Sequence, residues 1–248
     1  MRSLLKKSFL YAFVMLFTMA AFSQQTVNVT AEHAPSNVTF LLPQNNPINV
    51  LGYTGDSNKN ILEIADGSQF YDEEFKKAKI SNSKVPYELR YNAYLDEMEI
   101  KLQEGSGLIN KKFQRNKIVF ESGNKTYKIL DTDLRYEKVK LGYFEVIQEN
   151  QYASLYRKEV KELNIGLEKV PYITPAPKII TEFQDKKNEF YVELNRNGHA
   201  IKLSKTTRGV SKVFEGKEKE VKAFIKENDL EVKDEQDLIK IINYVNSL

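Results

Sequence analysis

The side chains that could do chemistry are few and scattered. The chain has two histidines, His33 and His199, and no cysteine. A histidine-based catalytic or metal site needs partners at fixed spacing, as in HExxH on a helix, and a hydrolase serine needs GxSxG; neither pattern occurs. The absence of cysteine excludes disulfides, thiolate metal sites and cysteine nucleophiles. His199 reads as a residue flanking a turn and His33 as part of a polar stretch. No catalytic residue, metal ligand or cofactor is therefore assigned.

Carboxylates cluster twice, at Asp72, Glu73 and Glu74 and at Asp96, Glu97 and Glu99. Such groups can bind calcium or, about 5–10 Å apart, hydrolyse glycosides. No loop follows the D-x-D-x-D-G spacing, and acids at strand ends and turns stay in solvent, so both clusters read as a solvated rim. Tyr87 and Tyr91 share one face of a predicted strand and could stack a sugar or an apolar molecule. The same rings could pack across strands, a gain of roughly 0.2–1 kcal/mol per pair. Packing is the better-founded role, because a sheet needs a core before it can carry a site. The candidate ligand-binding residues are Tyr87, Arg90, Tyr91, Asn92 and Tyr94.

The elements that must position these residues are mostly strands. Val85–Tyr94 alternates, with Tyr87, Leu89, Tyr91 and Ala93 on one face and Glu88, Arg90 and Asn92 on the other. The apolar register then shifts to Tyr94, Met98 and Ile100, which calls for a bulge or turn near Leu95 to Glu97. Residues 60–131 read as a β-meander. Two hairpins follow, Gly142–Ile147 with Tyr152–Arg157, and Glu189–Leu194 with His199–Leu203 across Asn197-Gly198, a strong two-residue turn signal. Between them Val170–Pro177 is a proline-punctuated connector. The ending changes period: Val221, Phe224 and Ile225, then Leu238, Ile241, Ile242 and Val245, recur at helical spacing, with Asp234 as N-cap. The predicted fold class is α+β, mostly antiparallel β-meander and hairpins with a short C-terminal helical pair. The predicted segments are a signal peptide (1–23), a loop-rich N-terminal segment (24–59), an antiparallel β-rich domain (60–204) and a helical segment packed on the sheet (205–248). Within 24–59, Thr26–Thr30 and Asn37–Leu42 have strand character, and the stretch from Pro43 to Gly55 reads as loop.

The signal-peptide expectation rests on Arg2, Lys6 and Lys7, then an uncharged apolar run from Ser8 to Phe22, then Ala21 and Ser23 at three and one positions before Gln24. Polarity returns at Ser23-Gln24-Gln25-Thr26, too soon for a spanning helix of about 20 apolar residues. Cleavage after Ser23 would leave no stable transmembrane anchor. It also changes the charge balance. The chain has 37 basic and 34 acidic residues; removing the three basic residues of the signal leaves 34 of each. A neutral mature chain lacks the cationic surplus of a nucleic-acid binder. The basic run from Lys202 to Lys226 is interspersed with Glu215, Glu218 and Glu220 and reads as a solvated helical face.

Gly67-Ser-Gln-Phe-Tyr71, Phe75, Leu89-Arg-Tyr-Asn-Ala-Tyr94, Asp96-Glu-Met-Glu99, Tyr156-Arg157-Lys158 and the ending from Phe214 to Leu248 resemble a group of uncharacterised exported proteins of Bacteroidetes. The resemblance covers most of the mature chain. It implies export and an envelope setting, and carries no activity, cofactor or catalytic residue.

The expected function is that of a non-catalytic cell-envelope protein, periplasmic, extracellular or surface-associated, that binds a protein partner or a ligand through its β-sheet. The expected partners are an envelope protein or an apolar ligand, with no nucleic acid. One alternative is a carrier of a lipid or another apolar molecule. Another is a hydrolase built on the carboxylates of Asp72 to Glu74 and Asp96 to Glu99.

Overall fold

The computed structural model describes residues 37–42, 46–52, 65–81, 83, 85–103, 105–112, 117–132, 140–167 and 179–248. The expected signal segment and cleavage site, the expected strand at Thr26–Thr30, His33 and the expected connector at Val170–Pro177 lie outside the described residues.

The regular elements of the described residues are mostly antiparallel strands. They are β1 (Asn37–Leu42), β2 (Asn46–Gly52), β3 (Lys76–Ile80), β4 (Tyr87–Asn92), β5 (Glu97–Lys101), β6 (Ser106–Ile109) and β7 (Ile118–Phe120). The series continues with β8 (Thr126–Asp131), β9 (Leu141–Gln148), β10 (Ala153–Lys158), β11 (Lys161–Leu167), β12 (Ile179–Asp185), β13 (Glu189–Leu194) and β14 (Ile201–Lys202). Three helices close the chain: α1 (Thr207–Ser211), α2 (Glu218–Glu227) and α3 (Glu235–Ser247). The main sheet has the order β1-β2-β6-β5-β4-β3-β7-β8-β9-β10-β13-β14.

The 60–131 region is thus not a simple meander. β3 to β6 run outward in one direction, and the chain then returns so that β7 pairs with the free side of β3. The stretch read as loop contains β2, which pairs with β1 along its length but with β6 only from Val50 to Gly52. Pro47 therefore falls outside the β6 ladder, where its missing N–H removes no bond to that neighbour. A short helix, α1, precedes the two helices expected from the apolar spacing.

Alternation in the strands sets the core. Ala78 and Ile80 of β3 and Tyr87, Leu89 and Tyr91 of β4 point inward, and Met98, Ile100, Ile109, Ile118, Tyr127 and Tyr143 join them in one cluster. The sheet curls around this cluster, so that β5 and β9 touch although four strands lie between them in the sheet order. The register change between β4 and β5 is a turn at Ala93 to Asp96, as the shifted apolar pattern requires.

β10 is buried on both faces. Ala153 and Leu155, with Val192 of β13, meet Val210, Phe214, Val221, Ile225, Leu238, Ile241, Ile242 and Val245 from the helical end. On the opposite face Tyr156 packs with Leu130, Phe144, Tyr191 and Ala200. Asp234 caps α3 by accepting from the Asp237 N–H at 3.0 Å, and the Phe224 and Tyr244 rings stack at 4.0 Å between α2 and α3.

Asn246 does more than complete a polar helix face. Its Oδ1 accepts from the N–H groups of Tyr152 (3.2 Å) and Ala153 (3.1 Å), and its Nδ2 donates to the carbonyls of Ala153 (2.8 Å) and Ile242 (2.7 Å). One amide thus fastens α3 to the start of β10. Asn246→Ala is expected to cost about 1–2 kcal/mol in a urea melt, since the half-buried site admits some water to the orphaned groups. A melt unchanged from wild type would show that water replaces the amide fully.

β11 and β12 form a separate two-stranded ladder from Lys161↔Asp185 to Leu167↔Ile179. They prolong the β10–β13 pair into an arm. The arm docks beside the β4–β5 turn: Lys161 N–H donates to Ala93 O (3.2 Å), Asp66 N–H to Thr181 O (2.8 Å) and Phe183 N–H to Asp66 O (2.8 Å). The Phe183 ring meets Tyr94 edge-on at 5.3 Å.

Candidate ligand-binding cleft

The β4–β5 turn places Asp96 in the left-handed region, with φ at 56°. Asp is among the residues that tolerate this conformation, though at a cost. Its carboxylate meets four donors. Oδ1 accepts from the Tyr91 hydroxyl (2.9 Å) and the Tyr143 N–H (3.1 Å). Oδ2 pairs with Lys158 Nζ at 2.9 Å and Lys111 Nζ at 3.6 Å. Lys111 also pairs with Glu97 at 3.0 Å.

Local sequence permits this convergence. Gly142, at the start of β9, leaves the space that the ion pair fills: a Cβ there would sit 2.7 Å from Lys158 Nζ and 3.1 Å from Asp96 Oδ2. Lys158 keeps the inward parity of Ser154 and Tyr156 along β10, and its ammonium lies 4.6 Å from the centre of the Phe144 ring. Lys111 lies 5.2 Å from the Tyr143 ring centre.

Burial governs the ionisation here. It pushes the Lys158 ammonium below its ordinary value, with Asp96 opposing and Lys111 and Lys140 adding to the shift. It raises the Glu97 carboxyl in spite of Lys111. Burial, reinforced by the neighbouring carboxylates, holds the Tyr91 and Tyr143 phenols well above their ordinary value, so Tyr91 remains a proton donor to Asp96.

Around this network opens a cleft of about 830 Å³. Its walls include Tyr94, Leu95, Leu141, Val160 and Tyr191, and its charged lining is Asp96, Glu97, Lys111, Lys112, Lys140 and Lys158. A second, smaller cavity of about 130 Å³ is lined by Tyr71, Tyr91, Tyr127, Arg90, Lys125 and Glu159 among others. There the buried Glu159 accepts from the Tyr127 hydroxyl at 2.7 Å and pairs with Lys125 at 2.6 Å. Burial, then Glu159, raises the Tyr127 phenol.

The structure separates the five residues singled out in the sequence. Tyr94 lines the large cleft, and Tyr91 and Arg90 line the small cavity. Tyr87 is buried in the core cluster, its hydroxyl without a hydrogen-bond partner among the described residues. Arg90 holds Glu99 through Nε (2.8 Å) and Nη2 (2.7 Å) and lies over the Phe70 and Phe75 rings. Asn92 is fully buried, donating to Gln69 Oε1 at 2.9 Å and accepting from the Leu95 N–H at 3.0 Å.

The acids are not all a solvated rim. Glu99 is buried against Arg90, while Asp96 and Glu97 face the cleft, because the curled sheet brings lysines over them. The two acidic clusters do not converge: Asp72 and Glu74 line the small cavity, Asp96 and Glu97 the large one. His199 follows the β13 turn, where Asp131 pairs with it in an isolated bridge. No group of three or more His, Asp or Glu among the described residues is placed to hold a metal ion. Sequence reasoning missed the lysines of the cleft. The signal available was Lys158, a cation at an inward strand position.

No helix among the described residues is long and apolar enough to cross a membrane. Comparison with protein families, curated proteins and solved structures finds no match to this chain in any of the three.

Proposed function

We propose that this chain is an exported, non-catalytic binding protein of the cell envelope that holds a ligand in the cleft beside Asp96. The observation that carries the reading is the cleft itself. At about 830 Å³ it falls within the range of small-molecule sites, and it combines apolar walls with a few convergent polar groups. The saturation of Asp96 by four donors supports a structural rather than an acid–base role for that carboxylate. Export and the envelope setting rest on the N-terminal charge and hydropathy pattern and on the resemblance to exported Bacteroidetes proteins. The carrier reading draws support from Leu95, a large apolar side chain 36% exposed at the cleft.

The test uses protein recovered from the exported fraction, which should begin at Gln24. N-phenyl-1-naphthylamine, an uncharged fluorescent reporter of apolar sites, is expected to bind it saturably, one per chain. Leu95→Glu should weaken that binding about tenfold, the loss of roughly one buried leucine contact. A chain that retains Met1 in the membrane would overturn the export proposal. Absence of saturable dye binding would overturn the cleft proposal.

A further inference from the structure

We propose that the ligand of this cleft is an anion, a molecule carrying one acidic group on an apolar or aromatic body. The inference rests on the cleft being a binding site, as proposed above, and adds the chemical class of what it binds.

The charge count is local and one-sided. Among the described residues that line the cleft, Lys111, Lys112, Lys140 and Lys158 face Asp96 and Glu97, a formal surplus of two positive charges. The chain as a whole carries a formal +3 over 248 residues, so this concentration is not a reflection of general basicity. The lysines divide by role. Lys158 and Lys111 are committed to Asp96 and Glu97. Lys112 and Lys140 are exposed and form no ion pair with any described residue. No described carboxylate thus competes with an incoming acid for these two ammonium groups.

The same geometry disfavours a cationic ligand. Asp96 has its oxygens occupied by Tyr91, Tyr143, Lys111 and Lys158, and Glu97 is engaged by Lys111. A ligand cation would displace one of these contacts and meet the remaining ammonium groups. The Lys158 ammonium feels Lys111 and Lys140 as like charges, against the larger opposing pull of Asp96, so both lysines reach into the cleft electrostatically. The body of the ligand follows from the walls. Tyr94, Leu95, Leu141, Val160 and Tyr191 offer rings and aliphatic surface, which an inorganic ion would leave uncovered.

Two dyes with the same aromatic body separate charge from apolar contact. 8-Anilinonaphthalene-1-sulfonate carries one sulfonate; N-phenyl-1-naphthylamine carries none. On the full mature chain at low salt, the sulfonate dye is expected to bind about tenfold more tightly than the neutral one. The double variant Lys112→Glu/Lys140→Glu should lower the affinity for the sulfonate dye by about tenfold or more and leave the neutral dye within about twofold. Both lysines are exposed, so the variant should melt like wild type. Should it melt lower, Lys112→Gln/Lys140→Gln provides the same comparison without charge reversal. Equal affinities for the two dyes, or sulfonate binding unchanged in both double variants, would overturn the inference while the neutral dye's binding left the cleft reading standing. Failure of both dyes to bind would remove the cleft reading itself. Bound sulfonate dye should be displaced by sodium oleate or by dihexanoyl phosphatidate, and whichever succeeds assigns the acid as carboxylate or phosphate. Displacement by neither would overturn the assignment.

Discussion

Ile241→Asp is expected to release the helical end from the sheet and to remove most of the folding free energy. Ile241 is fully buried, in a cluster that joins α1, α2 and α3 to Ala153, Leu155 and Val192. Helices as short as α2 and α3 are marginal in water on their own, so their stability comes from this contact. Truncation to alanine should cost about 2–5 kcal/mol through lost burial and the cavity left behind. Aspartate adds a carboxylate with no cation in the cluster to pair with it, and such a charge neutralises or unfolds its surroundings. Circular dichroism during a urea melt should show a midpoint shift for Ile241→Ala and loss of the cooperative transition for Ile241→Asp. Lys240→Ala, one residue away and exposed, should stay within about 1 kcal/mol of wild type. If Ile241→Asp melts like wild type, the helical end contributes nothing to the stability of the sheet.

Glu193→Ala should be the costliest change to a polar side chain. Glu193 lies on β13 with its side chain fully buried, 2.6 Å from the Tyr156 hydroxyl and 2.7 Å from Lys128 Nζ. Its other oxygen accepts from the Gly198 N–H at 2.8 Å, in the turn where Gly198 takes a φ of 81° that suits glycine. Removal of the carboxylate orphans three donors and leaves Lys128 without its buried partner, a loss of about 3 kcal/mol. Glu193→Gln keeps the shape and an acceptor and should cost less.

The effect should also depend on pH. Burial alone would raise the Glu193 carboxyl, but the hydrogen bonds from Lys128, Tyr156 and Gly198, with the Lys128 charge, outweigh it and hold the group below its ordinary value of 4.5. A carboxyl depressed in the folded state contributes its full stability above its unfolded-state value and loses it as pH falls through the folded-state value. The gap between wild type and Glu193→Gln should therefore be complete near neutral pH and close in acid. Paired melts at about pH 7 and about pH 3 measure it. A gap that does not shrink in acid would mean that the carboxylate charge is not what stabilises the cluster.

Periodicity by itself determined the local elements. Tyr87, Leu89 and Tyr91 share an inward face because a strand alternates, and the shift of apolar parity after Ala93 demanded the turn that now holds Asp96. The hairpin after β13 forms, but its tight turn is Asn195-Arg196, both at φ 52° and closed by the Asn197 N–H to Leu194 O at 3.2 Å, rather than Asn197-Gly198. Leu238, Ile241, Ile242 and Val245 specified a buried helix stripe with Asp234 at its start. β11 had a readable alternation in Leu163, Ile165 and Leu167, but exposed Ile165 shows that such a pattern need not mark a core face. β2 was hidden by Pro47, whose tolerance depends on which stretch of the strand has a second neighbour.

The cleft was decided by tertiary structure. Lys111 follows β6, Lys140 precedes β9, and Lys158 ends β10; Lys111 and Lys158 meet Asp96, and Lys140 lines the same cleft, because the sheet curls until β5 and β9 touch. Alternation tells each strand which side faces inward. It holds no information on how far the sheet closes, because closure is set by the packing of Tyr91, Tyr127 and Tyr143 from three different strands around one core. Lys158 alone carried a local signal, at an inward strand position, and only closure of the sheet brought the separate cations into one lined cavity.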